Sequence, residues 1–191
     1  MFKLNIPNAL TVVRILLVPV LVVALLDETS SGDILAAGVF AIASFTDAID
    51  GYIARARNSI TDFGKLMDPI ADKLLVIAAL FALVELGRVA AWVAMVIVAR
   101  EFAVTVSRMY ATGQGIIIAA NWWGKAKTIV QIIAIFCLIA FYPSPLWVDL
   151  LVYLAVAITI ISGIDYFFGL RRLMREAAEK RQLSSHSRAE T

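Results

Sequence analysis

Asp47, Asp50, Gly51, Ala54, Arg55, Gly64, Asp68 and Asp72 stand at fixed intervals, Asp47-x2-Asp50-Gly51-x2-Ala54-Arg55-x8-Gly64-x3-Asp68-x3-Asp72, at the edge of apolar segments in a chain that is 61% hydrophobic. An ionisable side chain at membrane depth costs about 2.5 to 3.5 kcal/mol on insertion scales, so four gathered carboxylates call for a compensating cation and point to a function. Helical residues three and four apart share a face, which pairs Asp47 with Asp50 and Asp68 with Asp72. A turn between Arg55 and Gly64 would return the second helix antiparallel to the first and let all four carboxylates converge. Hard oxygen donors in such a group suit Mg2+ or Mn2+.

Carboxylates that hold two divalent ions, beside glycine, alanine and arginine, fit phosphoryl chemistry best. Two ions neutralise and orient a diphosphate and stabilise its leaving group, which is the main demand of such a displacement. Gly51 and Ala54 project no bulk, so a nucleotide can approach the helix backbone, and Arg55 offers a planar donor fork for phosphate. Gly64, four residues before Asp68, permits a tight helix entry or makes room for ligand. Without the carboxylates, both glycines would read as packing or turn residues.

The elements that must position these residues are membrane helices. A chain of 191 residues with a mean hydropathy of +0.86 is too apolar for an ordinary soluble domain, and one all-α integral membrane domain is expected. About 20 apolar residues span a bilayer core. Six spans are expected, near residues 10–26, 34–55, 66–86, 89–111, 124–142 and 146–169, forming a six-transmembrane-helix bundle. Basic residues crowd one set of ends: Lys3 and Arg14, then Arg55, Arg57 and Lys65, then Arg108, Lys125 and Lys127, then the tail from Arg171 to Arg188. On the other side, the connection from Asp27 to Asp33 and that around Pro143 carry no basic residue, and the third carries Arg88 alone. The positive-inside rule puts both termini and the aspartate motif in the cytoplasm.

Met1 to Asn8 mixes apolar and polar residues around Pro7, which suggests a short amino-terminal interfacial segment. Residues 1–172 would form the membrane domain and 173–191 a cytoplasmic tail. The tail begins as a helix extension that either sets topology or favours anionic headgroups, and residues 184–191 are expected to be disordered. His186 is too isolated to form a site. Cys137, the sole cysteine, excludes an intramolecular disulfide and reads as a buried, inert thiol. No removable signal peptide is expected, and the pI of 8.8 reflects charge placement rather than nucleic-acid binding.

Every specified position of the aspartate motif resembles the signature of the CDP-alcohol phosphotransferase family, and the expected length and topology are similar to that family as well. The resemblance implies that Asp47, Asp50, Asp68 and Asp72 bind two Mg2+ or Mn2+ ions. It implies that Asn8, Asp50, Gly51, Ala54, Arg55 and Gly64 surround the CDP group, and that Asp72 is also the general base. An alcohol would attack the phosphorus bearing the lipid, and CMP would leave. The segments Asn5 to Arg14, Arg100-Glu101-Phe102 and Gly124 to Thr128 look like the phosphatidylglycerophosphate synthase branch. That branch joins CDP-diacylglycerol to sn-glycerol 3-phosphate. A homodimer in the cell membrane is also implied by the family.

Glycerol phosphate brings a second anionic group and needs cations apart from the metal site. Arg100, Arg108, Lys125 and Lys127 are the candidates for the acceptor phosphate. Arg100 lies within a span, where an ion pair with Glu101 or another carboxylate competes with substrate contact. Lys125 and Lys127 have a purely topological reading beside the functional one. Lys73 points about 100 degrees away from Asp72 on an ideal helix, so it snorkels or pairs elsewhere. Inositol phosphate is an equally anionic acceptor, and charge alone leaves it open. An intramembrane prenyltransferase also binds Mg2+ through aspartates, but such chains resemble longer sequences with two widely separated motifs, whereas here both pairs fall between residues 47 and 72. A membrane cation transporter would leave Gly51, Ala54, Arg55 and Gly64 without a purpose.

Overall fold

The computed structural model describes residues 6–57, 62–114 and 122–189, with side chains over 10–46, 73–114 and 122–175. The described residues form six helices and no strand: α1 Ile6–Leu26, α2 Ser30–Arg57, α3 Asp62–Glu85, α4 Ala91–Gly113, α5 Trp122–Ala140 and α6 Leu146–Ala189. The all-α expectation holds. Among the described residues, two helical stretches, Trp122–Ala140 and Leu146–Arg175, are long and apolar enough to cross a membrane, while Leu10–Leu26 and Ser30–Thr46 are shorter apolar stretches.

Local chemistry sets the ends of these helices. α1 begins at Ile6, so Pro7 falls in its first turn, where a missing N–H costs no intrahelical bond. From Ile6 onward, the expected interfacial segment is therefore the first turn of α1; residues 1–5 lie outside the described residues. Thr29 caps α2, its Oγ1 accepting the Gly32 N–H at 3.0 Å. A Cβ at Gly32 would sit 2.5 Å from the Ala24 carbonyl oxygen, so glycine lets the start of α2 approach the end of α1. α3 closes in a Schellman motif: the Arg88 N–H donates to Leu83 O at 2.8 Å and the Gly87 N–H to Val84 O at 3.0 Å. Gly87 has a φ of +66°, the left-handed conformation that this motif requires. α6 continues helical to Ala189. The disorder expected from residue 184 does not appear through that residue, since extending an existing helix fixes one residue per hydrogen bond and needs no new nucleus.

α1 packs along both α2 and α3, α6 packs on α4 and α5, and α2 against α5 joins the two halves. The core between them holds Leu21, Leu25, Phe40, Leu80, Leu83, Ile135, Ile139 and Val148, all fully buried. Buried Ala36 and Ala79 allow helix backbones to approach. The outward faces are apolar too: Leu16, Ile34, Phe81, Met95 and Phe168 are all exposed, Ile34 at 74%. A surface this apolar suits lipid rather than water, and the chain is a membrane protein.

One cation fixes which helix ends lie together. Arg88, in the α3 to α4 turn, pairs with Asp33 in the first turn of α2 at 2.7 Å. The same guanidinium lies 4.1 Å from the ring centroid of Tyr142, in the α5 to α6 connection. The start of α2, the end of α3 and the end of α5 thus share one end of the bundle. The carboxyl end of α2, the amino end of α3, the carboxyl end of α4 and the amino end of α5 lie toward the other.

Candidate active site

The aspartate motif straddles the α2 to α3 connection. α2 runs unbroken to Arg57, so Asp47, Asp50, Gly51, Ala54 and Arg55 ride its last three turns, and α3 starts at Asp62, so Gly64, Asp68 and Asp72 fall on its first three. The side chains of residues 47–72, and that of Asn8 in the first turn of α1, lie outside the described residues. The helical backbone still decides their spacing: Asp47 and Asp50 share one face of α2, and Asp68 and Asp72 share one face of α3. Four hard oxygen donors, paired on consecutive helices that both pack on α1, are chemically suited to Mg2+ or Mn2+. Among the described residues no group of histidine, cysteine, aspartate or glutamate could hold a metal ion.

Starting at Lys73, the residue after the motif on α3, the described side chains form a second charged group. Glu101 of α4 is its centre. Lys127 of α5 donates from its amino group to Glu101 Oε1, and Arg100 Nη1 lies 3.4 Å from the same oxygen. Lys73 of α3, the residue after Asp72, reaches Glu101 Oε2 at 3.6 Å. Arg100 Nη2 donates to Ser162 Oγ of α6 at 2.6 Å. Arg100 Nε is buried without a hydrogen-bond partner. The network therefore ties four helices together and sets three cations against one carboxylate. Lone buried charges are costly, so Glu101 stabilises the cations that it touches.

The remaining basic candidates stand apart from this group. Arg108 is exposed, with its guanidinium 5.8 Å from the Tyr166 ring centroid. Lys125 and Lys127, two residues apart, point about 200 degrees from one another around α5: Lys125 is exposed, and Lys127 is 3% exposed.

The CDP-alcohol phosphatidyltransferase family model matches residues 4–161, most of the chain. This chain belongs to that family. A Bacillus subtilis protein named CDP-diacylglycerol--glycerol-3-phosphate 3-phosphatidyltransferase is 43% identical over 180 residues, covering 85% of this chain and 93% of the relative. A Mycobacterium tuberculosis protein named probable phosphatidylglycerophosphate synthase is 40% identical over 186 residues, covering 95% of this chain and 87% of the relative. A Haemophilus influenzae protein with the same name as the Bacillus one is 37% identical over 171 residues, covering 86% of this chain and 92% of the relative.

Within this CDP-alcohol phosphatidyltransferase, every sequence-derived candidate from Asn8 to Lys127 falls inside the matched region. The structure brings Arg100 and Lys127 together on Glu101 and leaves Arg108 and Lys125 exposed. The expectation that Lys73 pairs away from Asp72 is met by Glu101. Sequence reasoning treated Glu101 only as a partner for Arg100 and passed over Ser162. The available signal was a glutamate inside an apolar span, where an ionisable group is expensive enough to be assigned partners on neighbouring helices.

Proposed function

We propose that this chain transfers the phosphatidyl group of CDP-diacylglycerol to sn-glycerol 3-phosphate, giving phosphatidylglycerophosphate and CMP. The names of its relatives support these substrates. The observation that carries the acceptor is the surplus of positive charge among the described side chains that follow the aspartate motif: Lys73, Arg100 and Lys127 all meet at Glu101. Among the described residues that leaves two positive charges beyond the one Glu101 balances, which suits a phosphate monoester dianion.

In this reading Asn8, Asp50, Gly51, Ala54, Arg55 and Gly64 surround the CDP group, and of the acceptor-phosphate candidates Arg100, Arg108, Lys125 and Lys127 the pair on Glu101, Arg100 and Lys127, receives the phosphate. Asp47, Asp50, Asp68 and Asp72 would hold two Mg2+ or Mn2+ ions, which would supply the charge neutralisation that a diphosphate leaving group needs. Asp72 takes the proton from the acceptor hydroxyl as its oxygen bonds to the phosphorus bearing the lipid. The bond from that phosphorus to the CMP oxygen breaks in the same displacement.

All six helices are proposed to span the cell membrane, with both termini and the motif cytoplasmic, residues 1–172 as the membrane domain and residues 173–191 as the tail. The charge placement supports this orientation, because Arg88 is the one basic residue in the three connections at the opposite end and Asp33 neutralises it. A homodimer completes the proposal. The acceptor is tested with purified protein, CDP-diacylglycerol, Mg2+ or Mn2+, and glycerol 3-phosphate, inositol phosphate or serine in parallel. CMP release with glycerol 3-phosphate is expected, and release only with another acceptor rejects the assignment.

A further inference from the structure

Glu101 belongs to no part of the aspartate motif, yet it is the point at which α3, α4 and α5 exchange charge, with α6 attached through Arg100 and Ser162. A carboxylate whose only task was to stabilise the bundle would be matched by one cation. Here it is met by three, two of them among the residues that the proposed function gives to the acceptor phosphate. From this juxtaposition we infer that Glu101 is a positioning residue for the acceptor, holding Arg100 and Lys127 in place while its single charge, among the described residues, leaves net positive charge for the incoming phosphate.

The geometry gives each arm of the cluster a reason. Lys127 is 3% exposed in the wall of α5, and among the described residues its flexible stem is held in place by its bond to Glu101. Arg100 is gripped from two sides, by Glu101 Oε1 at 3.4 Å and Ser162 Oγ at 2.6 Å, which fixes the plane of its guanidinium. Its stem passes α6 at Gly163, where a Cβ would already be in contact with Arg100 Cγ at 3.4 Å. Guanidinium has five N–H donors, more than these two contacts use, and the buried Nε is unpartnered. Donors therefore remain for a phosphate after the anchoring bonds are made. Lys73 extends the same hub to α3, the helix that carries Asp68 and Asp72. Removing the Glu101 charge would leave Lys127 a buried cation with no described counter-ion and let it move. An acceptor that binds only the properly arranged fraction then binds more weakly in proportion.

The inference rests on the acceptor reading, and the test separates the two. Initial rates are measured in detergent-lipid micelles, varying glycerol 3-phosphate and CDP-diacylglycerol independently. Glu101→Gln is expected to raise the acceptor KM by about tenfold while the CDP-lipid KM stays within about twofold, and Glu101→Asp is expected to recover most of the loss. Because Glu101→Gln strands a buried lysine, a second arm pairs it with Lys127→Gln, replacing the ion pair by a neutral one that a helix bundle accommodates more readily. The paired variant is expected to match the acceptor KM of Lys127→Gln alone, since both changes remove one arrangement. An unchanged acceptor KM in Glu101→Gln overturns the role. So does an equal rise in both KM values in the paired variant, which marks a structural defect. If the parent protein uses inositol phosphate in place of glycerol 3-phosphate, only the acceptor assignment falls, and the same KM comparison made with that phosphate still decides the role of Glu101.

Discussion

Arg88 Nη1 lies 2.7 Å from Asp33 Oδ1 and links the α3 to α4 turn to the first turn of α2. The guanidinium also covers the Tyr142 ring, so one side chain joins three connections at the end of the bundle away from the aspartate motif. The Arg88 side chain is 4% exposed and that of Asp33 17%. Breaking such a pair from one side costs about 3 kcal/mol, because the remaining charge stays behind. Arg88→Met is therefore expected to lower the thermal unfolding midpoint in detergent while leaving both substrate KM values near those of the parent. An unchanged midpoint would mean that the pair is not a structural clamp.

Asp72 is the last carboxylate of the motif and stands one position before Lys73, the α3 arm of the Glu101 hub. Asp72→Asn preserves size and removes both the base and a hard anionic ligand. Turnover should fall by at least about 100-fold, the low end of what general base catalysis contributes, while the protein remains folded and still binds CDP. Near-normal turnover would remove Asp72 from the base role.

Chelation tests the metal reading without changing the chain. Excess EDTA should abolish CMP release, and Mg2+ or Mn2+ added beyond the chelator should restore it, because hard carboxylate oxygens rebind these hard cations. Activity that persists in EDTA would leave the motif without its proposed ions.

The two lysines of α5 should behave differently. Lys127 is buried on Glu101 and Lys125 is exposed. A charge-assisted hydrogen bond contributes about 1.5 to 3 kcal/mol, so Lys127→Gln should raise the glycerol 3-phosphate KM by about tenfold or more. Lys125→Gln, with a solvated charge, should raise it less. KM values equal to the parent in both variants would favour a topological role for these residues.

The helices and the reaction were legible in the sequence because their signals are local. Apolar runs bounded by Gly87, Pro143 and the Asp27 to Asp33 turn marked the helices to within a few residues, apart from the far end of α6, and eight residues at fixed gaps named the chemistry. α1 starts at Ile6, four residues before the expected span, because a first turn accepts Pro7. The disorder expected of residues 184–191 came from polarity alone, and polarity does not register the helix already running into that segment. Glu101 was the harder case. Its meaning depends on Lys73 and Lys127, 28 residues before and 26 after it, which meet only when α3, α4 and α5 pack. No spacing rule along one helix could show that juxtaposition.

The central claim is that glycerol 3-phosphate becomes esterified to the lipid phosphate of CDP-diacylglycerol. It is tested most directly by supplying radiolabelled sn-glycerol 3-phosphate to the purified protein with CDP-diacylglycerol and Mn2+, and measuring label that moves into the organic phase. The account predicts a lipid-extractable product equal in amount to the CMP released, with both absent in Asp72→Asn. CMP released without label entering lipid would contradict it.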